Sequence, residues 1–169
     1  MGLARLIKYG YILYGQTRDG KTATGHILSG NPLKGAKISG EDMVEATTSR
    51  NKTAKIGNTM VSETAIPNYF EVKMNNPMYP KDETFVIDTP GYGDTKGVLR
   101  ILANGFYHYR LYSKVENMKF ILCFDHAHVR NTCEKFIDTI IQWTSSFKNY
   151  FDNRKDIWKS CVFLFTKVD

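Results

Sequence analysis

The sequence predicts an α/β fold: a three-layer arrangement around a sheet that is mainly parallel, with one antiparallel edge strand. Three observations carry that prediction. Short β-branched and aromatic runs alternate with segments of helical periodicity along the chain. The run Tyr9 to Tyr14 leads into a glycine-bearing loop and then a helical segment, a strand–loop–helix unit. The runs Tyr69 to Met74 and Thr84 to Ile87 are joined by a turn, Asn75 to Asp82, that holds Pro77 and Pro80; this suggests an antiparallel hairpin at one edge of the sheet.

The elements follow in order. After the first strand, Lys21 to Ser29 reads as a helix, and Gly30-Asn31-Pro32 stops it. Residues 31–63 are polar and rich in Gly, Thr, Asn and Lys, and predict one long loop; loops of that length are commonly functional. The strand at Tyr69 alternates Phe70, Val72 and Met74 against Tyr69, Glu71 and Lys73, the pattern of a half-exposed strand. Thr84 to Ile87 reads as a buried strand. Residues 96–115 place Val98, Leu102, Phe106 and Tyr109 at helical spacing. Phe120 to Phe124 is a buried strand. Cys133, Phe136, Ile137, Ile140, Ile141, Thr144 and Phe147 form a helical stripe continued by Phe151, read as core, and Trp143 and Trp158 read as packing residues. Cys161 to Phe165 is the last apolar strand. No internal repeat or second domain is visible, and residues 1–169 form one domain with 42% apolar and 13% aromatic residues, enough for a folded core.

The chemistry concentrates in three motifs. Gly15-Gln16-Thr17-Arg18-Asp19-Gly20-Lys21-Thr22 fits G-x-x-x-x-G-K-[ST]. Its glycines let the backbone curl until several N–H groups point inward, and the positive end of the following helix adds to this nest for anionic oxygens. Lys21 reaches terminal phosphates, and the Thr22 hydroxyl takes one position on a magnesium ion. Asp88-Thr89-Pro90-Gly91 follows a buried strand; an aspartate there holds magnesium, usually through water, and Gly91 offers its N–H to a γ-phosphate where a side chain would crowd. Thr166-Lys167-Val168-Asp169 matches [NT]-K-x-D: a carboxylate at Asp169 accepts from guanine N1–H and the exocyclic amine, which adenine does not satisfy, and Lys167 lies along the base. Each motif alone is short; the three in this order, each after a strand, reinforce one another.

These residues resemble a P-loop GTPase domain of the septin and immunity-associated (AIG-type) group. Gly20-Lys21-Thr22-Ala23-Thr24-Gly25 is similar to the G-K-S-A-T-G of the immunity-associated branch. Asp88-Thr89-Pro90-Gly91-Tyr92-Gly93-Asp94-Thr95 resembles the switch II sequences of both branches, and Phe163 to Asp169 uses Thr where small GTPases often have Asn. The likeness runs from Lys8 to Asp169 and is specific at the motifs. It implies GTP or GDP with Mg2+ as cofactors, a nucleotide site that includes Ala23, and residues 31–63 as a switch I-type loop. It also implies a homodimer across the nucleotide face. A complete domain of this class adds a further strand, a Ser-Ala-type loop and a closing helix after the last motif, so the resemblance implies a domain incomplete beyond Asp169. The switch I threonine that completes the metal shell is sought among Thr47, Thr48, Thr53, Thr59 and Thr64; Thr64, just ahead of the second strand, is favoured.

Hydrolysis is expected to be slow. Tyr92 occupies the position where many small GTPases carry the Gln that orients water. No catalytic residue is assigned; Gln16, Arg18 and Thr64 are the residues to consider, with a solvated cation the favoured reading of Arg18. Two other functions stay open: a nucleotide-dependent dimerising or polymerising scaffold, and an ATP-using P-loop enzyme, against which Asp169 speaks.

Charge and cysteines set the remaining bounds. The net charge is +6 with a pI of about 9.2, but the cations are scattered. Lys37, Arg50, Lys52 and Lys55 lie in the long polar loop, and no basic stripe with interleaved aromatics marks specific nucleic-acid binding. No apolar run reaches the roughly 20 residues of a membrane helix; peripheral membrane contact stays open. Met1-Gly2 is followed by Leu6 where a myristoylation motif wants Ser or Thr. Cys123, Cys133 and Cys161 form no C-x-x-C pattern and read as buried thiols of a cytoplasmic protein. His126 and His128 with Asp125 read as loop residues rather than a metal site, and His26 and His108 have no partner pattern.

Overall fold

The computed structural model describes residues 7–38, 41–47, 56, 66–72, 84–91 and 97–168. Its centre is a five-stranded sheet built from β1 (Ile7–Tyr14), β4 (Asn68–Glu71), β5 (Thr84–Asp88), β6 (Val115–Asp125) and β7 (Cys161–Thr166), in the order β4-β5-β1-β6-β7. The pairs β1–β5, β1–β6 and β6–β7 are parallel; β4 pairs antiparallel with β5 at one edge. The fold is therefore α/β with a mostly parallel sheet and one antiparallel strand, as the strand patterns predict. The chain leaves β1 towards β5 and leaves β6 towards β7, so the connections diverge at the carboxyl ends of β1 and β6. In open α/β sheets a divergence of this kind is where ligands bind.

Strand alternation divides the core into two layers. Ile12, Tyr14, Phe120, Leu122 and Phe124 face one side, where they meet Leu111 and Trp143. Leu111 comes from α2 (Val98–Tyr112) and Trp143 from α4 (Glu134–Ser145); α5 (Tyr150–Lys159) adds Ile157. Leu13, Val86, Ile121 and Cys123 face the other side together with Phe70. The helix α1 (Lys21–Leu28) sits on that second face: the His26 ring meets Phe70 at a centroid distance of 4.9 Å. Trp143 is fully buried, with ring contacts to Phe120 at 5.5 Å, Phe147 at 5.4 Å and Trp158 at 5.2 Å.

Three expectations need correction. Residues 31–63 are not one loop: β2 (Leu33–Ile38) and β3 (Glu41–Ala46) form an antiparallel hairpin within them. Its register sets Lys34 opposite Glu45, and the two form an ion pair at 3.5 Å, while neither strand carries the regular apolar alternation that would have marked it in the sequence. Thr47 closes the open end of the hairpin by donating its N–H and its hydroxyl to the Pro32 carbonyl at 3.1 and 3.0 Å. The helical spacing of Val98, Leu102, Phe106 and Tyr109 agrees with α2; this line faces solvent, while Asn104, His108 and Leu111 turn towards the sheet. In α4 the inward line is Phe136, Thr139, Ile140, Trp143 and Thr144; Ile137, Ile141, Cys133 and Phe151 are exposed. His126 and His128 lie in a short helix, α3 (His126–Asn131), because the Asp125 carboxylate caps it by accepting from the Ala127 N–H at 3.0 Å. Met74 lies outside the described residues.

Candidate functional site

The residues from Gly15 to Gly20 join the carboxyl end of β1 to the first turn of α1. They curl tightly. The Gln16 N–H donates to the Asp19 carboxylate at 2.7 Å, and the Asp19 N–H returns a bond to the Gln16 carbonyl at 3.3 Å. Arg18 and Gly20 both carry positive φ, 75° and 76°. Gly20 tolerates this and serves as the N-cap of α1, whereas Arg18 is held in a conformation that a residue with a Cβ adopts only under constraint. Gly15 passes so close to β6 that an added Cβ would stand 2.6 Å from the Cys123 carbonyl oxygen. The Gly20 carbonyl accepts from the Thr24 N–H at 2.9 Å and the Thr24 hydroxyl at 3.0 Å, which locks the helix start.

Lys21 is buried at 6% exposure, and its ammonium folds back over the loop, donating to the Gly15 carbonyl at 3.1 Å and the Gln16 carbonyl at 2.7 Å. One residue on, the Thr22 hydroxyl donates to the fully buried Asp88 carboxylate at 2.7 Å. Ala23 is half-buried in the same turn. The strand register Leu13↔Asp88 places Asp88 beside the loop, and Thr89 fixes the strand end by donating its hydroxyl to the Leu13 carbonyl at 2.7 Å. Gly91 then lies against Thr17: a Cβ there would stand 2.6 Å from the Thr17 nitrogen. The Thr17 hydroxyl is buried and has no hydrogen-bond partner among the described residues.

The third group comes from β7. The Thr166 hydroxyl lies 3.1 Å from the Asp19 carbonyl and 3.2 Å from the Phe124 carbonyl, bridging the loop to β6. Lys167, at φ 53°, donates its ammonium to the Asp125 carboxylate at 2.7 Å. Burial would raise the Asp125 carboxyl, but the hydrogen bond and charge of Lys167, with the Ala127 N–H and His128, hold it below the usual carboxylate range. Asp19 moves the other way: burial raises it against the opposing pull of Lys21 and the Gln16 and Asp125 N–H groups. His128 stands 3.8 Å from the Asp19 carboxylate through Nδ1 and 3.2 Å from the Lys135 ammonium through Nε2.

The fold therefore gathers Gly15 to Ala23, Asp88, Gly91, Thr166 and Lys167 at the carboxyl ends of β1, β5, β6 and β7. Thr47 is committed to the hairpin. Thr48, Thr53, Thr59, Thr64, Tyr92 and Asp169 lie outside the described residues. Gln16 turns its side-chain amide to the Lys135 carbonyl at 3.3 Å, and Arg18 is exposed. Sequence reasoning missed Asp125, which carries the same signal as Asp88: a carboxylate closing an apolar strand.

The arrangement unites a buried cation, a helix N-terminus and a hydroxyl–carboxylate pair. Oxygen donors of this kind suit a hard divalent cation that keeps several waters and shares phosphate oxygens. Among the described residues no cluster of three or more His, Cys, Asp or Glu side chains would hold a metal alone. Nor is any described helix long and apolar enough to cross a membrane. No family model matches the chain, and no match is found among the curated proteins.

Proposed function

We propose that the chain is a guanine-nucleotide-binding switch domain of the P-loop GTPase kind, resembling the septin and AIG-type group, with Mg2+ at the phosphate end and slow GTP hydrolysis. The observation that supports this best is the 2.7 Å contact between Thr22 Oγ1 and the buried Asp88 carboxylate, beside a lysine folded over a curled loop. A hydroxyl and a carboxylate from motifs 66 positions apart meet where the reading requires two magnesium ligands. In this reading Lys21 exchanges its two carbonyl partners for terminal phosphate oxygens, so its charge stays paired throughout. The N–H groups of the loop and the first turn of α1 bind the remaining oxygens. Asp88 orients the metal through Thr22 and water, and Gly91 supplies an N–H next to Thr17. Thr166 keeps the base-reading loop in place, and Asp169 reads guanine.

Titration of the chain with a fluorescent GTP analogue, with and without magnesium, tests the proposal. Binding should require magnesium, outcompete ATP, and fall at least about a hundredfold in Lys21→Ala, the loss of a charge-assisted phosphate contact with its desolvated partner. Absence of binding at millimolar analogue, or equal competition by ATP, would refute it. The exposed apolar stripe of α2 favours a second reading, a nucleotide-dependent dimerising scaffold. A GTP-dependent rise in mass by sedimentation, without phosphate release, would distinguish it.

A further inference from the structure

We infer that Asp125 is a positioning residue for base selectivity: it holds Lys167, and through it the loop that reads the purine. The inference rests on the guanine-nucleotide reading above. Asp125 ends β6 in register with Thr166 of β7. Its two carboxylate oxygens have separate tasks. Oδ2 accepts from the Lys167 ammonium at 2.7 Å, and Oδ1 accepts from the Ala127 N–H at 3.0 Å, capping α3. One side chain thus ties the residue after β7 to the start of a helix. The neighbouring Thr166 hydroxyl ties the same turn to the Phe124 carbonyl and to the Asp19 carbonyl of the phosphate loop.

The backbone shows why such a tie is needed. Lys167 sits at φ 53°, the left-handed region that residues with a Cβ disfavour. A conformation of this sort persists only where the surroundings over-determine it. Here the side chain is fixed at its far end by a carboxylate that is itself fixed by a helix cap. The pair is half open to solvent at Lys167 and largely covered at Asp125, with exposures of 50% and 10%. It therefore acts as a geometric constraint more than as a source of stability. Releasing it would let the turn relax towards negative φ and swing whatever follows Lys167.

Asp125→Asn separates the two tasks. Asparagine caps helices as well as aspartate, so α3 stays in place, while the charged partner of Lys167 is lost. Lys167→Met removes the same pair from the other side. Affinities for GTP, for ITP (which lacks the exocyclic amine) and for inorganic tripolyphosphate are measured on the wild type, both variants and the double variant. Asp125→Asn should narrow the preference for GTP over ITP by roughly twofold to fivefold, the range of a partly exposed charged pair, with tripolyphosphate affinity and thermal midpoint unchanged. The double variant should show no larger loss than either single one. An unchanged GTP preference in a wild type that binds GTP overturns this inference alone. Equal losses for all three ligands also overturn it, since they would assign Asp125 to the fold and not to base reading. A wild type that binds no guanine nucleotide overturns the functional reading and this inference with it. Should Asp125→Asn fail to fold, Asp125→Ser, which keeps a capping oxygen and loses the charge, decides by the same criteria.

Discussion

Replacing Gly91 by alanine isolates one contact between the Gly15–Gly20 loop and the segment after β5. A Cβ on Gly91 would stand 2.6 Å from the Thr17 nitrogen, 2.7 Å from its Oγ1 and 2.9 Å from its Cα. Non-bonded carbon contacts are most favourable at about 3.5–4.0 Å, so the two segments would have to part by roughly 1 Å. Neither gives way easily. Thr17 belongs to a loop closed by the Gln16–Asp19 bonds and covered by Lys21, and Gly91 follows a strand end fixed by Thr89 on Leu13. Two of the three opposing atoms are backbone, and the third is the hydroxyl of a short β-branched side chain, not the tip of a long flexible one. Overpacking of this kind costs about 1–3 kcal/mol. In a domain of this size each kcal/mol lowers the melting midpoint by about 2–4 °C, which gives a fall of roughly 2–12 °C. Gly35→Ala is the control: its Cβ meets nothing within 4 Å, and an exposed change of that type stays within about 0.5 kcal/mol. Thermal and urea unfolding followed by circular dichroism on the two variants in parallel gives the comparison. Equal midpoints would refute the reasoning, because they would mean that the approach of Gly91 to Thr17 is not a fixed feature of the fold.

The other expectations are independent of nucleotide. Trp143→Ala should cost about 3–5 kcal/mol, the range for emptying a fully buried aromatic site, and urea denaturation should show the midpoint shift; a loss below about 1 kcal/mol would contradict the packing around Phe120, Phe147 and Trp158. Alkylation of the native chain at mildly alkaline pH should modify Cys133, which is exposed, and spare Cys123 and Cys161, whose thiols burial pushes up to about 12; mass spectrometry of the digest reads this directly. Burial holds the His108 imidazolium below its ordinary value of 6.5, helped by the nearby charge of Lys21 and opposed by the Asn104 carbonyl. The folded state thus prefers the neutral ring, so the contribution of His108 to stability is complete above pH 6.5 and is lost as the pH falls below it. His108→Gln should flatten that acid slope in urea melts, and a slope identical to wild type would assign the effect elsewhere.

How much of this is legible in the sequence depends on whether the information is local. The curl from Gly15 to Lys21 is written in consecutive residues, and its glycines mark the places where backbone must approach backbone or take positive φ. Thr22 and Asp88 meet across 66 positions, yet each sits next to a strand whose apolar alternation announces it, so the parallel register brings them together. The Asp125–Lys167 bond has the same origin but lacks a familiar spacing, and only the pairing of Asp125 with Thr166 reveals it. The hairpin of Leu33–Ile38 and Glu41–Ala46 escapes notice for a different reason: its two strands carry no regular apolar alternation, so there is no hydrophobic period to detect.

The helix Val98–Tyr112 exposes the limit of periodicity. The spacing of its side chains defines two faces, one with Val98, Leu102, Phe106 and Tyr109, the other with Asn104, His108 and Leu111, but periodicity does not say which face the sheet takes. Burial normally decides in favour of the more apolar face. Here the inner face holds Leu111 fully buried and His108 bonded to Asn104, and the apolar stripe is turned out. The His108 ring packs edge-on against Tyr14 of the sheet and Tyr112 of its own helix, with centroids 6.2 and 5.9 Å away. On this face aromatic edge contacts stand in place of the aliphatic ones that the opposite rotation would have made. The rotation thus goes with the ring contacts of His108 to Tyr14 and of Tyr112 to Phe120, and Tyr14 lies far from the helix in sequence, where no periodicity within the helix can register it.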